Sequence, residues 1–137
     1  MREILFRGKT ESGRWIEGYY LKVYDEYPVI DYYTKDNSYR SPVITETVTQ
    51  YTGYKDSEDM NIFEGDIIEW YPKNGNGIAK EPEKGVVKFG QYDENSYGFY
   101  IEWINDNFFR EDFLYWINQK RDVKVIGNIF DNHFSKN

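Results

Sequence analysis

Three carboxylates that lie close together in the sequence come nearest to a catalytic set. Glu64, Asp66 and Glu69 fall within the segment IFEGDIIEWY. Two carboxyl groups about 5 to 10 Å apart support glycoside hydrolysis when they flank a substrate cleft. Adjacent acidic residues on a hairpin are far more often a solvated face, and no second motif accompanies these three. A carboxylate-based hydrolase is therefore the least favoured of our functional hypotheses.

The composition removes most other catalytic machinery. The 137 residues contain no cysteine and a single histidine, His133. This excludes thiolate nucleophiles, cysteine zinc sites and sites built from several histidines. Asp56, Glu58 and Asp59 are close in sequence, but the twelve-residue calcium loop with its closing glutamate is missing. We therefore expect no catalytic residue, no metal site and no cofactor.

Basic and aromatic residues alternate near the N-terminus, as they do in grooves that bind single-stranded nucleic acids. The formal net charge of −7 opposes this hypothesis, and all of it arises from residue 56 onward. Phosphate backbones require clustered cations, which glutamates dilute here. A single-stranded nucleic-acid-binding module remains the alternative hypothesis, with the contact residues Arg2, Arg7, Lys9, Arg14 and Tyr20.

Aromatic residues are the most abundant material for binding, with 4 Trp, 14 Tyr and 9 Phe. A small β core cannot bury all of them, and exposed Tyr and Trp are enriched at protein interfaces. The alternative to an interaction surface is that the tyrosines cover the protein surface with their hydroxyls in water. Because residues 62–71 are apolar on both strand faces, we expect a homo-oligomer, most simply a two-fold dimer. The predicted interaction residues are Tyr54, Phe63, Trp70, Tyr71, Trp103 and Trp116.

The composition also predicts a mainly β fold. Branched and aromatic residues dominate, whereas the chain has only three leucines and one alanine. Within the second strand, the parity of Trp15, Tyr19, Leu21 and Val23 is expected to face the core, and Gly18 to mark a bulge or a close backbone approach. The predicted strands are residues 3–7, 14–24, 27–33, 42–51, 62–71, 85–89, 98–104 and 122–130, of which the first two form a hairpin.

Turns, loops and one helix complete the prediction. Residues 34–41 and 72–84 are expected to be loops, the latter too permissive for a two-residue hairpin. The spacing of Phe109, Phe113, Trp116 and Ile117 predicts a helix over 107–119, with Asn107 as a possible N-cap. Four residues are assigned to structural turns or close backbone approaches, with Asp66 forming an Asx turn: Gly53, Gly65, Asp66 and Gly127.

These elements predict one domain, residues 1–137, with a β-hairpin region at 1–55 and a barrel-like region at 62–130. The expected architecture is small antiparallel sheets or a partly open barrel, SH3-like in its second half as one alternative. The sequence has no apolar run long enough to cross a membrane and no apolar signal core near its start. We therefore expect the protein in the cytoplasm.

Four stretches of the chain together resemble one protein family. They are MREILFRG with RWIEGYY, the central ETVTQYTGYKD, IFEGDII, and the closing VIGNIFDN. This combination is similar to the YopX family of phage and prophage proteins, although Ser57–Asn61 replaces an Asn-Gly turn and His133 replaces a proline. The resemblance implies a mainly β domain and no established activity. It favours a non-catalytic accessory protein that binds itself, a host protein or another phage protein.

Overall fold

The computed structural model describes residues 4–74, 77–104, 109–119 and 122–131. The chain divides into two compact units, residues 1–53 and 54–137. The structure is mostly β, as predicted, with antiparallel sheets and one short helix. Among the described residues, no helix is long and apolar enough to cross a bilayer.

The first unit contains an antiparallel sheet with the strand order β4-β3-β2-β1-β5. The predicted opening hairpin is confirmed, because β1 pairs with β2. Its elements are β1 (Phe6–Lys9), β2 (Trp15–Val23), β3 (Tyr27–Tyr33), β4 (Ser38–Pro42), a 3₁₀ turn (Thr45–Thr47) and β5 (Thr49–Lys55), which ends in the second unit.

The predicted buried parity of β2 is wrong. Ile16 and Gly18 are buried, whereas Tyr19 is half exposed and Trp15 is only partly covered. The close approach predicted at Gly18 is confirmed and gives the reason: a Cβ there would lie 2.2 Å from the carbonyl oxygen of Asp31. β3 can thus pack closely on that parity, where Ile16 and Ile30 join Val43 in a small core.

Two further expectations in the first unit are wrong. The segment 42–51 is not one strand, because a 3₁₀ turn at Thr45–Thr47 interrupts it. The Thr47 hydroxyl donates to the carbonyl oxygen of Ile44 at 2.6 Å and accepts the Lys9 N–H at 2.8 Å, which stabilises the turn. Residues 34–41 are not all loop, since β4 begins at Ser38 and pairs with β3.

The second unit contains a five-stranded antiparallel sheet with the order β12-β11-β10-β7-β13. This sheet does not close into a barrel, so of the predicted alternatives the small antiparallel sheets are confirmed. Its elements are β6 (Asn61–Phe63), β7 (Asp66–Trp70), β8 (Lys73–Asn74), β9 (Gly77–Ile78), β10 (Glu83–Asp93), β11 (Ser96–Trp103), β12 (Arg110–Asp112), helix α1 (Phe113–Ile117) and β13 (Val123–Asn128).

The helix is shorter than predicted. Residues 110–112 are extended instead, because β12 pairs with β11 and places Glu111 opposite Ile101. The N-cap is Asp112, whose Oδ1 accepts the Tyr115 N–H at 3.1 Å. The predicted N-cap, Asn107, lies outside the described residues. Phe109, which was expected on the buried stripe, is half exposed.

The region 72–84 also differs from the prediction of a plain loop. β8 and β9 form a small antiparallel hairpin in which Asn74 pairs with Gly77. The predicted turn before β7 is confirmed: Gly65 has φ of 90°, a conformation that favours glycine. Gly53 likewise has φ of 92°. Gly127 follows a register shift in β13, where the strand is bulged.

Candidate interaction surface

The three carboxylates Glu64, Asp66 and Glu69 do not converge on one cleft. Asp66 and Glu69 are three residues apart on β7 and therefore project from opposite faces of the strand. Asp66 is buried, and its Oδ2 accepts the Phe63 N–H at 2.8 Å. Glu69 lies between Lys84 and Lys124 of the neighbouring strands. Burial raises the pKa of Glu64, which lies in the turn before β7.

The aromatic residues predicted to form the interaction surface are mostly core residues. Phe63, Trp103 and Trp116 are almost completely buried, so their assignment to an exposed surface is wrong. Trp116 lies 5.5 Å from Trp70 and 5.2 Å from Trp103 between ring centroids. Of the remaining members, Tyr54 and Trp70 are partly buried against the core, and only Tyr71 is exposed. Most of the predicted interaction residues are thus buried within a single chain.

The apolar residues on both faces of segment 62–71 do not require an oligomer contact. β7 is an inner strand that pairs with β10 on one side and β13 on the other. Its Ile67 and Ile68, on opposite strand faces, are 2% and 0% exposed in a single chain. The described chain therefore buries this apolar strand by itself, without a second copy.

The nucleic-acid residues predicted from the sequence are split between the two faces of the first sheet. The Arg7 guanidinium lies 4.8 Å from the centre of the Trp15 ring and is buried, and the Lys9 ammonium lies 5.8 Å from the same ring. Tyr20 belongs to the opposite parity of β2. Arg14 also lies on Tyr20's side, since it contacts Tyr32, and Arg2 lies outside the described residues. These residues do not form one groove.

The structure instead presents a tyrosine surface on the first unit, formed by Tyr19, Asp31, Tyr33, Ser38 and Arg40. Tyr19, Asp31 and Arg40 are directly opposite one another across β2, β3 and β4, and Tyr33 is opposite Ser38. Cross-strand partners share a face of a sheet, so all five project to the same side. The rings of Tyr19 and Tyr33 meet edge to face at 6.2 Å, and both are more than half exposed.

An ion pair lies at the centre of the tyrosine surface. Arg40 donates from Nε to Asp31 Oδ1 at 2.7 Å and from Nη2 to Oδ2 at 3.0 Å. This hydrogen bond lowers the pKa of Asp31 and raises that of Arg40. A shallow cavity of about 260 Å³ lies beside the pair and is lined by Asp31, Tyr33, Ser38, Tyr39 and Arg40. The surface thus combines exposed rings with a neutralised charge pair and a concave site.

A second exposed aromatic group lies on the long β10–β11 hairpin. Phe89 lies 4.8 Å from Phe99 and 5.4 Å from Tyr97 between ring centroids. These residues continue the strand face that Val87 and Ile101 bury in the core. Phe89 and Tyr97 are exposed because the hairpin extends beyond that core.

In the sequence stretches that carry the family resemblance, polar side chains accept hydrogen bonds from backbone N–H groups. Asp56 is 7% exposed, and its Oδ1 accepts the N–H groups of Glu58 and Met60 at 2.9 Å each. Its Oδ2 accepts the Val125 N–H of β13 at 2.9 Å. Asn128 accepts the N–H groups of Phe130 and Asp131 through Oδ1, at 2.9 and 3.0 Å. Asp66 acts similarly, although on Phe63 upstream rather than in the predicted Asx turn.

These structural roles agree with the likeness noted from the sequence, and a family comparison decides the assignment. The family model described as YopX protein matches residues 5–133. The chain belongs to the YopX family. A search of curated proteins finds no match. In this YopX chain the family's sequence stretches supply turns and side chains that accept backbone hydrogen bonds.

The sequence did not predict the tyrosine surface of this YopX chain, because two of its members lie on β4, which was predicted to be a loop. β4 has the sequence SYRSP, and its polar residues and proline favour a loop over a strand. The better clue is Tyr27–Tyr33, which the sequence predicted correctly as β3. One parity of β3 ends in Asp31 and the exposed Tyr33, and the other carries the buried Ile30.

Proposed function

We propose that this YopX protein is a non-catalytic accessory protein that acts through protein–protein contacts made by its tyrosine surface. The exposed edge-to-face pair of Tyr19 and Tyr33, held on a sheet, carries the proposal. Tyrosine supplies a large contact area at a low entropic cost, because only two side-chain torsions need to be fixed. Tyrosine and arginine are also the residues that most often dominate binding energy at protein interfaces.

The charges of the tyrosine surface favour a protein partner over a nucleic acid. Asp31 accepts two hydrogen bonds from Arg40, so the only cation of the surface is already neutralised. A phosphate backbone would require several cations on one face. The nucleic-acid alternative loses support on the N-terminal hairpin for a different reason, because Arg7 and Lys9 lie over Trp15 on one face of the sheet and Arg14 contacts Tyr32 on the other.

The partner and setting follow from the family and remain part of the proposal. A phage or prophage protein of this kind would work in the cytoplasm of the bacterial host and bind a host protein, another phage protein or itself. Buried carboxylates support the non-catalytic part, because Asp56 and Asp66 accept backbone N–H groups. A carboxylate used in this way is not available to a substrate.

A capture experiment from host lysate tests the proposal. The bait is the full chain carrying Tyr19→Ser and Tyr33→Ser, compared with the wild type. Tyr24→Ser is the matched control, because Tyr24 is the most exposed tyrosine and lies outside the tyrosine surface. We expect a specific protein to be retained by the wild type and the control and lost from the double variant. Retention of the same protein by all three baits would contradict the proposal.

A further inference from the structure

The first sheet has a free outer edge at β4. The strand order places β4 at the end of that sheet, beyond β3. The Val43 N–H donates to the Pro28 carbonyl at 3.1 Å, and the Thr34 N–H donates to the Asn37 carbonyl at 2.8 Å. Hydrogen-bonded pairs alternate along an antiparallel ladder, so these two bonds fix which groups of β4 point inward.

The backbone groups of Ser38 and Arg40 point away from β3. The register places Tyr39 opposite Tyr32 and Ser41 opposite Ile30, in phase with the two hydrogen bonds above. Ser38 and Arg40 fall between these pairs, so their N–H and C=O groups face outward. Within the described part of the chain, no residue bonds to these outward groups. β4 therefore offers two adjacent sites for pairing with another strand.

One edge strand of the sheet in the second unit, β13, is covered by other residues of the chain. On β13, the Val125 N–H donates to Asp56 Oδ2, and the Val123 carbonyl accepts the N–H and the hydroxyl of Ser57. Covering an edge in this way prevents pairing with other chains. The described residues give β4 no such cover, and only Pro42, which lacks an N–H, limits its length.

We propose that two copies of this chain pair antiparallel through β4, with Tyr39 on the two-fold axis. In this register Ser38 of each copy lies opposite Arg40 of the other, and each such pair exchanges two backbone hydrogen bonds. Pairing Arg40 with itself would place like charges opposite each other. Pairing Ser38 with itself would place Arg40 opposite Asp36, which lies in the bend before β4 and is not part of the strand. Only the Ser38–Arg40 register pairs the outward backbone groups of both residues with residues of β4.

The self-complementary register centred on Tyr39 favours a second copy as the partner strand. Tyr39 is the central residue of this register and stacks on Tyr32 at 5.3 Å with an interplanar angle of 20°. Across the axis, the two Tyr39 residues form a non-hydrogen-bonded pair, the arrangement in which side chains come closest. An interface of this kind is self-complementary, as a two-fold dimer requires. This inference goes beyond the proposed function, because Tyr39 lies on the parity of β4 opposite to Ser38 and Arg40 of the tyrosine surface.

Engineered cysteines test the register, because the natural chain has no cysteine. We expect Tyr39→Cys to form a disulfide-linked dimer on mild oxidation, since a non-hydrogen-bonded pair brings two Cα atoms within disulfide range. Arg40→Cys would lie opposite Ser38 of the other copy, out of disulfide range of its own counterpart, and should form no disulfide-linked dimer. Tyr24→Cys controls for random collision of an exposed site. Cross-linking of Tyr39→Cys no greater than that of either control would overturn the proposal.

Light scattering of the oxidant-free protein provides the second measurement. The wild type should approach twice its monomer mass of 16.5 kDa as its concentration rises. Ser38→Pro removes an outward N–H without touching the bonds to β3, so this variant should stay monomeric with the circular dichroism spectrum of the wild type. A monomeric wild type up to near-millimolar concentration would overturn the proposal. Capture of a host protein through Tyr19 and Tyr33 in that case would leave the proposed function standing.

Discussion

Asp56 Oδ2 accepts the backbone N–H of Val125 at 2.9 Å, which joins two residues 69 positions apart in the chain. The same carboxylate accepts the N–H groups of Glu58 and Met60 through its other oxygen. One buried side chain thus orders the turn between β5 and β6 and covers the outer edge of β13. An acidic sequence motif can in this way stabilise the fold.

Replacing Asp56 should destabilise the protein strongly. Asp56→Ala leaves three backbone N–H groups without their acceptor, and hydrogen bonds to charged groups contribute about 1.5 to 3 kcal/mol each. We expect a loss of at least about 3 kcal/mol in the free energy of unfolding, measured by urea denaturation. Glu58→Ala is the control, because Glu58 makes only an exposed ion pair with Lys124. Equal denaturation midpoints for both variants would contradict the role of Asp56.

The tryptophan cluster should dominate the stability of the second unit. Trp116 is 1% exposed and contacts both Trp70 and Trp103. Truncation of a buried tryptophan costs about 3 to 5 kcal/mol, so Trp116→Ala should lower the denaturation midpoint sharply. Tyr115→Ala, a change at the exposed neighbour on the same helix, should leave the midpoint almost unchanged. Similar losses for the two variants would place Trp116 outside the core.

Trp15 should contribute less to stability than Trp116. The sequence predicted a core position and therefore a loss of about 3 to 5 kcal/mol for Trp15→Ala. The structure leaves Trp15 partly exposed beneath the cations of Arg7 and Lys9. Because Trp15 is only partly covered, its truncation removes less buried apolar area than that of Trp116, so a smaller loss is expected. Denaturant titration of the two tryptophan variants side by side measures the difference.

Glu64 should destabilise the folded state at neutral pH. Burial raises the pKa of Glu64 above its unfolded value, so the folded protein binds this proton more tightly than the unfolded chain. The penalty is present when both states are ionised, above the raised pKa, and disappears as the pH falls below the unfolded pKa. Glu64→Gln should therefore raise the thermal midpoint at pH 7 and lose this advantage in acid. An advantage that persists unchanged at pH 3 would contradict this assignment.

The Asp31–Arg40 pair should show the opposite pH dependence. The hydrogen bond from Arg40 lowers the pKa of Asp31 below its unfolded value. The pair therefore stabilises the protein above the unfolded pKa, and this contribution is lost as the pH falls through the lowered pKa. Asp31→Asn should be less stable than the wild type at pH 7 and should converge with it in strong acid. Thermal midpoints across this pH range test the sign.

Local sequence patterns predicted the elements in which turn chemistry and strand propensity agree. Tyr27–Tyr33 is β3 to the residue, and the Glu64–Gly65 turn separates β6 from β7 as expected. The family assignment succeeded for the same reason, since its stretches contain the turns and the carboxylates that clamp them. These features depend on residues that are close in sequence, so they can be predicted from one sequence alone.

Features set by packing between distant strands were not predictable in this way. Tyrosines occur on both parities of β2, and the buried parity is the one on which Gly18 allows the close approach of Asp31 and Ile16 packs against Ile30. Phe109, Phe113 and Trp116 have helical spacing. Residues 110–112 nevertheless adopt an extended conformation, because they pair with β11. The interaction residues were chosen for aromatic character, but the largest rings fill the core and leave the tyrosines of β2, β3 and β4 exposed.

The central claim is that the tyrosine surface binds a protein partner, and the affinity of the captured partner tests it most directly. The dissociation constants of the wild type, Tyr33→Ser and Tyr24→Ser should be measured by calorimetry with that partner. An interface residue that dominates binding contributes about 2 kcal/mol or more, so Tyr33→Ser should weaken binding about 30-fold. Tyr24→Ser should match the wild type. Equal dissociation constants for all three chains would contradict the claim.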